Sequence, residues 1–169
     1  RPNGKNILFI RFANNALTVR QIPSNLKRRR ASIVSNLGNI EIRALKISPN
    51  DRQFAWIKDD KRAELQISDE NFKNTVQHLD GFDIKGIGWF PNSEKLIVAG
   101  APVGQATSEL FTYALDSGCL KRLTYDGFDD VEPEVSPSGE KIAFASNRKG
   151  AWQVFTMPLK EPRKCSYTF

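Results

Sequence analysis

A proline-led turn recurs four times along the chain, and it restricts the fold more than any bulk property does. "RPNGKNILFIRF" at Pro2, "SPNDRQFAWIKD" at Pro49, "FPNSEKLIVAGA" at Pro91 and "SPSGEKIAFASN" at Pro137 align on their prolines, which lie 47, 42 and 46 residues apart. Behind each turn runs an apolar segment. Three of the prolines are preceded by a short alternating run: "IRALKIS", "IKGIGWF" and "DVEPEVS". A third run follows in every copy, as "ALTVRQIP", "AELQIS", "ELFTYALD" and "WQVFTMPL". A fourth closes it, as "ASIVSN", "NTVQHL", "CLKRLTY" and "KCSYTF". Alternation at period two, with Ile, Val, Phe, Tyr and Trp in the runs and Gly, Pro, Asn and Asp at the joints, predicts antiparallel hairpins and no helices.

Four-strand units at a period in the forties predict a β-propeller, in which each blade buries its faces on its neighbours. The expectation is an all-β chain of about four four-stranded antiparallel blades, near residues 1–38, 39–81, 82–127 and 128–169, in a single domain. The first blade lacks its innermost strand, so an incomplete ring or part of a larger propeller is expected. The second strands "KLIVAG" and "KIAFAS" are apolar almost throughout, which predicts mid-blade positions covered on both faces.

Composition is that of an ordinary globular chain, 40% hydrophobic and 26% charged over 169 residues, which argues against disorder. No apolar run approaches the length of a membrane-spanning helix. The sequence opens on Arg1 with no signal-peptide pattern, which reads as a cut or processed end.

The segment Leu123–Leu159, "LTYDGFDDVEPEVSPSGEKIAFASNRKGAWQVFTMPL", resembles the TolB-like β-propeller repeat: a Leu-Thr ending, a proline before a Ser-Pro-Ser-Gly turn, a Lys-Ile-Ala-Phe strand, a Ser-Asn-Arg-x-Gly turn and an aromatic third strand. The blade at Pro91 follows the pattern more loosely, and those at Pro49 and Pro2 keep turn and strand spacing alone. The resemblance implies a rigid disc presenting loops, usually with six or more blades, and no catalytic residue set of its own. It implies a non-catalytic protein-binding scaffold subunit of a periplasmic or otherwise extracytoplasmic bacterial cell-envelope assembly, with other proteins as partners. Two alternatives stay open: the accessory propeller of a prolyl-oligopeptidase-like hydrolase whose catalytic domain is absent, and a small-ligand, glycan or Ca²⁺ binder acting through the central channel.

The residues themselves supply little chemistry. His78 is the sole histidine and no Gly-x-Ser-x-Gly elbow occurs, so no catalytic residue is assigned. One histidine and two distant cysteines cannot make a structural zinc site, and no metal or cofactor is assigned. Cys119 and Cys165 are 46 residues apart, one repeat period, at the start of the outermost strand of adjacent blades. Outer strands splay at the rim, so two free thiols are expected. The net charge of +6 concentrates at Lys27, Arg28, Arg29 and Arg30. With no aromatics interleaved, that cluster reads as a rim loop facing a protein partner and not nucleic acid. The acidic run "YDGFDDVEPE" reads as an inter-blade loop facing the water of the central channel, with Asp129, Asp130 and Glu132 at its mouth. Arg148 and Lys149 on the hairpin turn complete the expected partner-binding set, Arg148 being also placed to pair with a neighbouring acid. Trp56, Trp89 and Trp152 are expected to pack between blades.

Overall fold

The computed structural model describes residues 6–13, 16–23, 32–59 and 62–168. The described residues form strands and no helix, in four antiparallel sheets. The first sheet has the order β1-β2-β3, from β1 (Asn6–Ala13), β2 (Ala16–Pro23) and β3 (Ser32–Gly38). The second is β4 (Ile42–Ile47), β5 (Gln53–Asp59), β6 (Ala63–Asp69) and β7 (Thr75–His78) in chain order. The third contains β8 (Phe82–Trp89), β9 (Lys95–Pro102), β10 (Glu109–Ala114) and β11 (Cys119–Arg122), and the fourth β12 (Asp130–Val135), β13 (Lys141–Ser146) and β14 (Gln153–Pro158). Every proline-led turn in the described residues joins the first and second strands of its sheet: Ser48, Phe90 and Ser136 each close it with paired backbone hydrogen bonds to the residues beyond.

The last strand, β15 (Tyr167–Thr168), corrects the repeat reading. "KCSYTF" was expected to finish the fourth blade. It pairs instead with β11, Cys119 opposite Thr168 and Leu120 opposite Tyr167, and makes the third sheet five-stranded. This is why the expectation of free thiols fails. Returning to the preceding blade brings the Cα atoms of Cys119 and Cys165 to 5.4 Å, and the two form a disulfide. The splay of neighbouring rims is irrelevant when Cys165 leads directly into a strand of the sheet that holds Cys119.

Three cores lie between successive sheets. Val19, Phe54, Trp56 and Phe72 fill the first interface, with Phe54 and Phe72 stacked at 4.3 Å. The second is the largest, with Leu65, Phe82, Ile84, Trp89, Leu96, Phe111 and Tyr113 among its members. Phe90, Ile97, Leu110, Ile142 and Phe144 make the third. Among the described residues no buried cluster joins the fourth sheet to the first. This shows in the second strands. β9 is buried on both faces along its middle, whereas β13 alternates, with Ile142, Phe144 and Ser146 buried and Ala143 and Ala145 only half-buried. The two-sided burial expected of "KIAFAS" is therefore one-sided.

The inner strands β4, β8 and β12 converge. Their approach requires glycine at two points: a Cβ on Gly86 would lie 2.8 Å from the backbone nitrogen of Glu132, and one on Gly88 2.8 Å from the carbonyl oxygen of Pro133. Polar contacts tie the same region. Trp89 Nε1 donates to the Lys46 carbonyl at 3.2 Å, Arg43 Nη1 to the Ile84 carbonyl at 3.2 Å, and the Asn50 amide to Ser93 Oγ at 3.1 Å. Lys46 of β4 forms an ion pair with Glu134 of β12.

Candidate functional site

The densest set of interacting charged groups in the described residues sits at the seam between the third and fourth sheets, where the loop leaving β11 enters β12. Asp130 opens β12 and is fully buried. Arg148, in the β13–β14 turn, donates through Nη2 to Asp130 Oδ1 at 2.8 Å and Oδ2 at 3.0 Å. The same nitrogen lies 3.0 Å from Asp126 Oδ2, and Arg148 Nε donates to Ser146 Oγ at 3.0 Å. The guanidinium also lies over the rings of Phe144 and Phe155, at 5.1 and 5.2 Å. Planar, charged and weakly hydrated, arginine suits a site that is polar on its edge and aromatic on its face.

A second arginine works beside it. Arg122 Nη2 donates to Glu109 Oε1 at 2.7 Å and its Nε to the Thr124 carbonyl at 2.7 Å. Glu109 is buried and its Oε2 has no hydrogen-bond partner. Oxygens of Glu109, Asp126 and Asp130 fall within 4.8 Å of one another. Carboxylates at that spacing suit a hard cation, but here the Arg148 guanidinium already stands against two of the three. Asp129 is half-buried: its Oδ1 accepts from the Ser108 amide at 2.9 Å, and its own amide donates to Asn147 Oδ1 at 3.0 Å.

The seam redistributes the expected partner-binding residues. Lys27, Arg28, Arg29 and Arg30 lie outside the described residues. Asp130 is a correction: it does not stand at an open channel mouth, because Arg148 and the third sheet enclose it. Arg148 is engaged with Asp126 and Asp130, as a structural pairing requires. Glu132 is exposed on β12, at a bulge where its φ is +50°, and Lys149 is exposed on its turn. The tryptophans also divide. Trp56 and Trp89 are buried between sheets, Trp56 Nε1 donating to Ser68 Oγ at 2.8 Å. Trp152 is 56% exposed, just ahead of β14. Sequence reasoning missed Glu109 and Arg122, which sit at the ends of paired strands and carry no motif.

His78 lies at the other seam. Its Nδ1 is 2.9 Å from the Tyr113 hydroxyl, and the two rings meet edge to face. They border an open groove of about 510 Å³ that also includes Asp80 and Asp116. Burial pushes the His78 pKa below its ordinary 6.5 and the Tyr113 pKa above 10.0. With His78 lowered in the folded chain, the unfolded chain binds more protons between the two pKa values. The contribution of His78 is complete above about pH 6.5 and is lost as pH falls through the folded pKa. Urea melts at a series of pH values should show stability falling on the acid side of that value, and His78→Gln should flatten that part of the profile. An unchanged slope in the variant would assign the acid sensitivity elsewhere.

No family model matches the chain. In three dimensions it is similar to TolB from Acinetobacter baumannii, with a TM-score of 0.75 at 16% identity, over 93% of this chain and 39% of that one. It is similar to the putative TolB from Agrobacterium tumefaciens, with a TM-score of 0.74 at 18% identity, over 93% of this chain and 55% of that one. A puromycin hydrolase structure aligns with 99% of this chain and 28% of its own, with a TM-score of 0.69 at 10% identity. The chain thus spans between two fifths and somewhat over half of the TolB structures it matches. At these identities the likeness shows the fold, and that fold is a TolB-like β-propeller.

Proposed function

We propose, from this TolB-like β-propeller fold, that the chain is a non-catalytic scaffold, binding other proteins in an extracytoplasmic assembly of the bacterial cell envelope. The observation that carries the reading is the likeness to TolB along nearly the whole described chain. The Cys119–Cys165 disulfide supports the compartment, because disulfides persist where the surroundings are oxidising. Partner contacts fall to exposed groups: Glu132 and Lys149, with Lys27 to Arg30 from the sequence. Charges of this kind set encounter rate and selectivity more than affinity.

Immobilised protein is expected to retain envelope proteins at low salt, and charge reversal at Arg28, Arg29 and Arg30 together to reduce that capture. Capture unchanged by the triple reversal would remove this loop from the reading. A wild-type chain that retains no envelope protein would overturn the scaffold itself. The likeness to puromycin hydrolase favours a second reading, an accessory propeller serving a hydrolase. A longer gene product carrying a Gly-x-Ser-x-Gly domain would decide for it.

A further inference from the structure

The seam between the third and fourth sheets holds more carboxylate oxygen than its arginines satisfy. Glu109 of β10, Asp126 of the loop after β11 and Asp130 of β12 each bring a carboxylate oxygen within 4.8 Å of the other two. Arg148 Nη2 faces Asp130 Oδ1, Asp130 Oδ2 and Asp126 Oδ2 together, so a single amino group of the guanidinium is shared among these oxygens. Arg122 serves one oxygen of Glu109, Oε1, at 2.7 Å. The other, Oε2, is buried with no hydrogen-bond partner among the described residues, on a side chain only 3% exposed. A buried carboxylate oxygen left unpaired is costly, so one directed into a group of acids points to a cation. The charge balance agrees: three carboxylates face two guanidinium groups, which leaves a negative charge over.

Oxygen donors alone select a hard cation. Ca²⁺ takes roughly six to eight oxygens at about 2.3–2.6 Å, so two oxygens on one ion lie up to about 5 Å apart, and this group falls inside that limit. Asp126 is 38% exposed and opens the group to water, which can complete the shell. Mg²⁺ demands a tighter octahedral shell at about 2.0–2.1 Å and suits the group less. The loop that carries Asp126 is held on both sides: Thr124 Oγ1 accepts from the Leu110 amide at 2.9 Å, and Asp129 Oδ1 from the Ser108 amide at 2.9 Å. Arg148 is the ion's competitor. Its side chain is 24% exposed, and its guanidinium lies over Phe144 and Phe155 at 5.1 and 5.2 Å. The rings attract the guanidinium whether or not Nη2 touches the acids, so exchange with an ion leaves the arginine a place to rest.

We propose that Glu109, Asp126 and Asp130 form a Ca²⁺ site in which the ion and Arg148 Nη2 are alternative counter-charges, so that bound Ca²⁺ ties the loop after β11 to the third and fourth sheets. The site goes beyond the scaffold reading and stands whether or not the chain binds other proteins.

The test is a calorimetric titration of the oxidised chain with CaCl₂, after treatment with a chelator and at constant ionic strength. Binding at one site is expected, with a dissociation constant of about 0.1–1 mM, the range of extracellular modules. Asp126→Asn and Glu109→Gln should each weaken it about tenfold or more, since each removes a ligand charge. Asp116→Asn, at an exposed acid in the turn between β10 and β11, should leave it unchanged. Arg148→Met removes the competitor and should bind Ca²⁺ about tenfold more tightly, and Ca²⁺ should raise the melting temperature of this variant more than that of wild type. Absence of binding in both wild type and Arg148→Met would overturn the proposal. Binding indifferent to Asp126→Asn would overturn it as well, because the ion would then sit elsewhere, and so would Arg148→Met binding no more tightly than wild type. Asp126 is exposed, so its variant keeps the test decisive even if a substitution at the buried Glu109 or at Arg148 abolishes the cooperative melt.

Discussion

Replacing Cys165 with serine is expected to lower the melting temperature by about 6–12 °C, the consequence of losing about 3 kcal/mol in a chain of this size. The Cys119–Cys165 link closes a 46-residue separation that takes in all of the fourth sheet. Opening it returns that length of chain to full freedom in the unfolded state, and loop-closure entropy makes this a large term. The folded state loses something too. β15 pairs over two residues only, and the contacts that also hold it include those of Ser166 and Glu161 and the Tyr167 ring against Phe82 and Phe111. Calorimetry of the oxidised protein, of the protein with dithiothreitol, and of Cys165→Ser should give one high and two nearly coincident low transitions. Dithiothreitol should leave the variant unmoved. A wild-type transition insensitive to reductant would mean that the link does not hold this strand.

The same strand marks where the sequence stops being readable. Turn chemistry and period-two alternation are local, so the proline-led turns and the runs beginning at Ile42, Glu109 and Asp130 coincide with observed strands. Which edge a strand joins is a tertiary choice, and a repeat pattern answers it only by assuming equivalence. One signal against equivalence was present. Four residues, 115–118, link β10 to β11, but eight, 159–166, separate β14 from β15, with Pro162 among them. A tight hairpin is natural to the shorter connection; the longer one reaches the neighbouring sheet. Asp130 failed as a channel-mouth residue for a related reason. Alternation gives the face of a strand, but Asp130 is the first residue of β12, where its carboxylate meets the Arg148 turn of its own blade. The exposure of Trp152 and the one-sided burial of β13 are set by packing between sheets, which the strand's own residues do not encode.

Removing the Asp130 carboxylate should be the most damaging single change at the seam. Asp130→Ala is expected to destabilise the chain by about 2–3 kcal/mol, below the range for a wholly enclosed pair, because Arg148 remains one quarter exposed and keeps Asp126. The cost comes less from the lost attraction than from a guanidinium left against Phe144 and Phe155 with one acid where it had two. This makes a distinctive prediction for the double variant. Asp130→Ala with Arg148→Met removes both charges and leaves a flexible apolar side chain over the two rings, so it should be more stable than Asp130→Ala alone. Asp130→Asn should fall between wild type and alanine, since an amide oxygen still accepts one hydrogen bond from Arg148. Urea titration of wild type, Asp130→Ala, Arg148→Met and the double variant, compared as a cycle, reads the coupling directly. Strictly additive effects would mean that the two residues stabilise the seam independently. In that case the cost of Asp130→Ala would lie in the packing of its own side chain, since its carbonyl still accepts from Ser108 Oγ at 2.8 Å in the variant, and the side-chain pair would be a consequence of the seam's geometry and not one of its causes.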